Sequence, residues 1–320
     1  MADKPQIYVL DPYHPDALAL LSSTTSLTAI PPSSPDRHNW HANASGLLVR
    51  SETTITAADF ARASPTLRVI VKQGVGVNNI DLDAAKAHGV IVCNTPALNS
   101  EAVAELTLAL MLDVARRVSE VDRRVRRGEV VVRSKVLGMS LYGKTLGVVG
   151  MGNIGRVVAR KWRGAMEGHV VACDPYAPED AWEGFEHQRV QSIEQLLSQA
   201  DVVSLHVPLT DSTRGMIGPN QFNTMRQDSI LINAARGGIV DEKALLVALQ
   251  EKKLWGAALD AMDVEPPTTE AYAEMLENEN VILTPHVGAS TRENQIRSGV
   301  AVVETLIKVL QGEEVPNRVV

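Results

Sequence analysis

The chain has 320 residues, 45% of them apolar and 22% charged, and a net charge of −7 at pH 7. That length allows about two ordinary domains, and the acidic balance argues against a nucleic-acid binder, which usually presents a basic surface. Cys93 and Cys173, the only cysteines, each sit inside an apolar run, which predicts buried free thiols in a reducing, cytoplasmic setting. No apolar run approaches the ~20 residues of a membrane span, and the opening "MADKPQIYVLDPYH" lacks the apolar core of a signal peptide.

In chain order, "QIYVLD" (6–11), "SGLLVR" (45–50), "LRVIVK" (67–72) and "GVIVCN" (89–94) read as strands. Their apolar runs do not alternate, which is the pattern of parallel strands covered on both faces. Helix candidates lie between them: "HPDALALLSS", "TAADFARAS" and "DLDAAKAHG". Residues 99–129, with no proline and no glycine before Gly128, then read as one long helix able to cross from one domain to the next. Arg123, Arg124, Arg126 and Arg127 near its end read as a solvated helix terminus. A second series follows, with strands at 145–150, 169–174, 201–208, 229–235, 254–261 and 280–286. Helices "NIGRVVARKWRGA", "SIEQLLSQA" and "EKALLVALQEKK" separate them, and a last amphipathic stretch, 292–312, can fold back onto the first series. The rhythm is βαβ, so the class is α/β.

Two glycine loops interrupt this rhythm. In "GVVGMGNIG" (147–155), Gly150, Gly152 and Gly155 satisfy G-x-G-x-x-G between a strand and a helix. The first glycine permits a tight turn, the second lets backbone approach a pyrophosphate, and the third lets helix pack on strand. Asp174 ends the next strand 19 residues after Gly155, where a carboxylate is placed to bind an adenosine ribose. That carboxylate would meet a 2′-phosphate, and "PYAPED" after it brings no arginine, so the expected cofactor is NAD and not NADP. The other loop, "GVGVNNID" (74–81), has Gly74 and Gly76 but Asn79 in place of the third glycine, and Asp81 and Asp83 come too early. It is not a second dinucleotide loop; its bare N–H groups suit a small anion such as a carboxylate, or form a turn with no ligand.

Three residues stand at or just beyond strand ends of the second series: Arg236 in "NAARGG", Glu265 in "DVEPP" and His286 in "TPHVG". Ligands of open parallel sheets bind there. Arginine grips carboxylates bidentately, histidine exchanges protons near neutrality, and a glutamate bonded to it would orient it. His206 also ends a strand, so position alone does not single out His286. No metal site is expected.

With these residues in view, the chain resembles the D-isomer-specific 2-hydroxyacid dehydrogenases over nearly its whole length. The blocks are "GVGVNNIDLDAAKAHGVIVCNTP", "NSEAVAEL", "LYGKTLGVVGMGNIGR", "HVPLTDSTRGMI", "INAARGGIVDEKALLVAL", "GAALDAMDVEPP" and "VILTPHVGAST". Within the family it is most similar to the catalytic portion of the phosphoglycerate dehydrogenase branch. The resemblance implies two Rossmann-like doubly wound domains with a cleft between them. One is a discontinuous, flavodoxin-like substrate domain, 1–98 plus 288–320. The other is an NAD-binding domain, 99–287, with a dimerisation arm in 99–140 and hence a homodimer. It further implies a catalytic set of Arg236, Glu265 and His286. Cofactor contacts would come from Gly150, Gly152, Asn153, Ile154, Gly155, Asp174, His206, Pro208, Ala234 and Asp260, the last toward the nicotinamide carboxamide. Substrate contacts would come from the N–H groups of Val75 and Gly76, from Asn99, and from Arg236 and His286. The implied activity is oxidation of a D-2-hydroxy acid or reduction of its 2-keto acid. 3-Phosphoglycerate is the first substrate considered and glyoxylate or hydroxypyruvate the second; an NAD-sensing corepressor is the reading from another class. A substrate phosphate would need a further cation, for which Lys72, where similar proteins often have arginine, Arg133 and Lys135 are the candidates. Glu101 would oppose it if it pointed in. The chain stops at "GEEVPNRVV", where the catalytic portion ends, so feedback through a further regulatory domain is not expected.

Overall fold

A computed structural model describes residues 4–320. The chain divides into two compact units, Met1–Asn99 with Ser290–Val320, and Ser100–Ala289.

The first unit opens with β1 (Gln6–Val9), α1 (Pro15–Ser23), β2 (Thr28–Ile30), β3 (Ala44–Val49), α2 (Ala57–Arg62), β4 (Val69–Lys72), α3 (Leu82–Ala87) and β5 (Ile91–Cys93). Its strands form one parallel sheet in the order β2-β1-β3-β4-β5, the flavodoxin-like arrangement. Leu47, Leu48 and Val49 are all fully buried in succession, as are Val69, Ile70 and Val71, because both sheet faces are covered. β2 escaped the sequence reading: it is three residues long and lies at the sheet edge.

The second unit begins with α4 (Ser100–Arg116) and α5 (Val118–Arg126). The single helix expected over 99–129 is therefore broken, at Arg117, which adopts a left-handed conformation with φ 57°. The cause is competition for backbone groups. The Val114 carbonyl accepts from Trp255 Nε1 and the Ala115 carbonyl from the Met139 N–H, while the Ser119 N–H donates to Asp113 Oδ1. These outside partners replace the helical bonds a continuous helix would need. α4 lies within the second unit and packs against its sheet and helices. Near the end of α5, Arg126 pairs with Asp122 and Arg127 with Glu129 on the surface, while Arg124 joins Glu129 to the buried Glu120.

The unit continues through β6 (Thr145–Val149), α6 (Asn153–Met166), β7 (His169–Cys173), β8 (Gln188–Arg189), α7 (Ile193–Leu197), β9 (Val202–Leu205), α8 (Pro219–Thr224), β10 (Ile230–Asn233), α9 (Glu242–Gln250), β11 (Gly256–Leu259), α10 (Ala273–Leu276) and β12 (Val281–Leu283). The seven strands are all parallel, in the order β12-β11-β10-β9-β6-β7-β8. Counted from β6 this is 3-2-1-4-5-6-7, the Rossmann order with one added strand, and it reverses direction between β6 and β9. Alternate residues feed two cores. Leu146, Val148, Ile230 and Ile232 meet α4 and α6, while Val149, Val203, Leu231 and Leu259 meet the helices opposite. β8, a polar pair, carried no strand signal.

The chain then returns to the first unit as α11 (Arg292–Gln311), whose Val302, Val303 and Leu306 are fully buried against β1, β3 and β4. The last residues pair with β5: Asn94 N–H donates to the Asn317 carbonyl and Val319 N–H to that of Val92. Cys93 and Cys173 are buried free thiols, as expected, and burial pushes the Cys93 thiol up to about 11.

Candidate active site

In the second unit, β6 delivers its chain end to the switch point. Gly150 has φ 99°, and a Cβ there would collide with the His206 carbonyl. A Cβ on Gly155 would collide with the Gly150 carbonyl oxygen and stand 3.1 Å from Val148. Gly152 differs: φ is −74° and a Cβ would meet nothing within 4 Å. The protein needs the first and third glycines for its own packing, whereas the space over the second is open. Gly152 is the N-cap of α6 and makes no side-chain cap, so the first-turn N–H groups of Asn153, Ile154 and Gly155 are left for a ligand. Beside them Asp174 Oδ2 accepts the Met151 N–H at 2.8 Å, and Oδ1 accepts those of Tyr176 and Ala177. Arg189, which the sequence reading did not bring here, donates to the carbonyls of Asp174, Ala177 and Pro178.

His206 follows β9, its N–H bonded to the Val149 carbonyl. Its Nε2 meets Ser204 Oγ at 2.8 Å, Nδ1 is buried without a partner, and burial pushes the ring down to about 3, so it is neutral. Pro208, two residues on, is exposed.

The strand ends of β10, β11 and β12 carry the other groups. After β10, Asn233 Nδ2 donates to the carbonyls of Arg236 and Ala261, and Oδ1 accepts the Ala235 N–H. This clamp, absent from the sequence reading, fixes the turn through Ala234 that presents Arg236. Gly237 lets that turn pass against the Met262 carbonyl, with which a Cβ would collide. Burial pushes the Arg236 guanidinium down from its ordinary value, and the charge of Glu265 opposes the shift.

Asp260, at the end of β11, is 1% exposed. Its Oδ1 accepts from Thr284 Oγ1 and the Val287 N–H, and Oδ2 accepts from the Gly288 N–H, all at 2.7–2.8 Å. It thereby anchors both sides of His286, whose φ is 53°. His286 Nδ1 lies 2.8 Å from Glu265 Oε2, which leaves Nε2 as the ring atom available to a substrate. Glu265 Oε1 accepts the Met262 N–H. Burial raises the Glu265 carboxyl, but the hydrogen bond and charge of His286 outweigh it and hold the group below the usual carboxylate range. Just ahead, Glu242 Oε1 accepts the Asp263 N–H and Tyr272 Oη the Val264 N–H, which pins the approach to Glu265. Neither residue carried a sequence signal, since nothing local links them to that loop.

The family model described as D-isomer specific 2-hydroxyacid dehydrogenase, NAD binding domain, matches residues 108–288. The chain belongs to this family. Over 98% of its length this 2-hydroxyacid dehydrogenase family member is 42% identical to a D-3-phosphoglycerate dehydrogenase of Methanocaldococcus jannaschii, of which it spans 59%. It is 40% identical to a hydroxypyruvate reductase of Thermotoga maritima, over 82% of this chain and 84% of that one. The crystal structure of the TT0316 protein from Thermus thermophilus superposes with a TM-score of 0.88 at 36% identity, covering 98% of this chain and all of that one. The family's cofactor is NAD, and the open space over Gly152 at a helix N-terminus fits a pyrophosphate.

In the first unit, the Gly74 N–H donates to Thr95 Oγ1 at 2.7 Å and the Val75 carbonyl accepts from Asn94 Nδ2. The N–H groups of Val75 and Gly76 have no partner among the described residues. Asn79, in the place of a third glycine, straps the loop to the carbonyls of Arg50 and Thr53. Asp81 caps α3 through the Ala84 N–H. Lys72 is 4% exposed, and its ammonium, 3.3 Å from Ser51 Oγ, lies beneath Gly74. The Asn99 Oδ1 is buried with no hydrogen-bond partner. Glu101, back in the second unit, is paired with Arg160 and Lys161 of α6. Arg133 and Lys135 are exposed.

Proposed function

We propose that the chain is an NAD-dependent oxidoreductase interconverting a D-2-hydroxy acid and its 2-keto acid. The carrying observation is the His286–Glu265 pair at 2.8 Å, presented with Arg236 from strand ends of the unit that bears the NAD loop. When bound, nicotinamide supplies or takes up the hydride. In oxidation His286 Nε2 accepts the hydroxyl proton; in reduction it returns a proton to the carbonyl oxygen. Glu265 fixes the ring through Nδ1 and favours its charged form. Arg236 holds the substrate carboxylate and polarises the carbonyl. Asp260 is read as a nicotinamide contact that also secures the His286 segment. The first unit contributes the Val75 and Gly76 N–H groups, Asn99 and Lys72 as substrate contacts.

3-Phosphoglycerate and 3-phosphohydroxypyruvate are the first substrate pair, on the similarity to the M. jannaschii relative, and glyoxylate or hydroxypyruvate the second, on that to the T. maritima relative. NADH consumption with phosphohydroxypyruvate, hydroxypyruvate, glyoxylate, oxaloacetate and an aromatic 2-keto acid, each repeated with NADPH, decides between them. His286→Ala is expected to lower turnover by about 10²–10⁴ while NADH still binds. Failure of every 2-keto acid to drive oxidation, with His286→Ala unchanged, refutes the assignment.

A homodimer through the arm is part of the same reading. Val118, Val125, Val130, Val132 and Leu137 are all exposed there, Val130 to 89%. Val130→Asp with Leu137→Asp is expected to move the protein from dimer to monomer in sedimentation; a wild-type monomer refutes it. The buried free thiols support a cytoplasmic setting.

A further inference from the structure

Two consecutive peptide planes make up the glycine loop, and each is locked by one side chain. The plane between Gly150 and Met151 is set by Asp174, which accepts the Met151 N–H. The plane between Met151 and Gly152 is set by Trp182, whose Nε1 donates to the Met151 carbonyl at 2.9 Å across 31 residues of sequence. A trans peptide points its carbonyl and N–H in opposite directions. With the Met151 carbonyl turned to Trp182, the Gly152 N–H faces the other way. That N–H has no partner among the described residues, and it belongs to the one glycine of the three over which a Cβ would find open space.

Trp182 is itself held firmly. It is 4% exposed, Phe185 meets its ring edge-on at 5.9 Å, and His187 packs at 5.3 Å. Its Cζ2 stands 3.4 Å from where a Cβ on Gly155 would be, so the ring lies directly under the start of α6. Among the described residues the indole is the only donor to the Met151 carbonyl. Without it a buried acceptor is left unpaired, and a small rotation of the 151–152 plane that recovered a partner would swing the Gly152 N–H off its direction.

We infer that Trp182 is a positioning residue for the cofactor: by fixing the Met151 carbonyl it aims the Gly152 N–H at the dinucleotide's pyrophosphate. This rests on the reading of the loop as the NAD site. It assigns the loop's second glycine an active donor as well as an absence of bulk.

Trp182→Phe removes the donor together with one of the two fused rings, so a buried packing loss accompanies it and the comparison of ligands separates the two effects. Binding of NADH, ADP-ribose and adenosine is measured by calorimetry, with adenosine by competition where direct heats are small. The expected result is a five- to tenfold rise (about one lost hydrogen bond to a buried carbonyl) in the dissociation constants of NADH and ADP-ribose, with adenosine changed less than about twofold. Parallel weakening of ADP-ribose and adenosine would assign Trp182 to packing alone and overturn the inference, as would no change in any of the three. In the wild-type protein, amide exchange at Gly152 is expected to slow with ADP-ribose and not with adenosine. Equal protection by both, or by neither, overturns the inference even if the variant does not fold. A wild type that fails to bind NADH at all refutes the NAD reading itself, a result separable from every one of these.

Discussion

Alanine at Gly152 and alanine at Gly150 should have opposite consequences, although the two glycines are two residues apart. At Gly152, φ −74° and ψ −168° suit any residue, and the new methyl meets no protein atom within 4 Å. Stability should therefore stay within about 0.5 kcal/mol of wild type, or rise slightly through the stiffer unfolded chain. The methyl would instead stand where a phosphate must approach the helix N-terminus, and NADH affinity should fall at least about tenfold, or 1.4 kcal/mol. At Gly150 the methyl is forced to φ 99° and to 2.8 Å from the His206 carbonyl carbon. Backbone strain of about 1–2 kcal/mol and a clash of similar size should cost ~3 kcal/mol. At about 2–4 °C per kcal/mol for a domain this large, the melting temperature should drop by roughly 6–12 °C. Thermal melts and fluorescence titration with NADH, run on both variants, read the two effects separately. Wild-type NADH affinity in Gly152→Ala, or a large loss of stability in that variant, would refute the division of labour argued from the open space.

His206 gives a pH-dependent prediction. Folded, its ring stays neutral down to about 3; unfolded, it protonates near 6.5, so falling pH loads protons onto the unfolded chain. Its contribution is intact above pH 6.5 and declines as pH falls toward 3, by about 2 kcal/mol at pH 5. Urea unfolding at pH 7 and pH 5 should show a smaller acid loss in His206→Gln than in wild type; equal losses would show that His206 is not the group responsible. Asp260→Asn should swap an acceptor for a donor at one of its three bonds and loosen the segment bearing His286. Turnover should fall about 100-fold, with stability lower by about 2 kcal/mol; steady-state kinetics and melts check both, and wild-type turnover would contradict the anchoring role.

The class, both sheets and most strands were legible because parallel strands leave short apolar runs and the loops between them carry glycine and capping residues. What escaped was decided at a distance. Little within residues 99–129 announces the break at Arg117: the Asp113–Ser119 bond is local, but the Val114 and Ala115 carbonyls are captured by Trp255 and Met139 from elsewhere. "PYAPED" indeed contains no arginine, yet Arg189 reaches the same loop from β8. For Arg236, Glu265 and His286 the residue types and strand-end positions were readable, and the structure shows a bond between His286 and Glu265. The residues that hold the set, Asn233, Glu242 and Tyr272, were not, because each acts on backbone of another segment. The sequence suggests only a ribose contact for Asp174; the structure shows it bonded to the Met151 N–H, where it shapes the loop.

The path of the chain through its two units bears on how it is made. The second unit is a single stretch, Ser100–Ala289, and contains everything its sheet needs. The first unit has its five strands within the first 99 residues, but Val302, Val303 and Leu306 of its core come from α11, and the free edge of β5 is paired by residues 317–320. A ribosome therefore releases the first unit's strands long before their cover, with the bare β5 edge and the apolar face of β3 and β4 exposed meanwhile. The NAD-binding unit can complete itself during synthesis, whereas the N-terminal sheet must wait until α11 and the pairing segment after it have emerged. Of the two units, the one begun first is the one finished last.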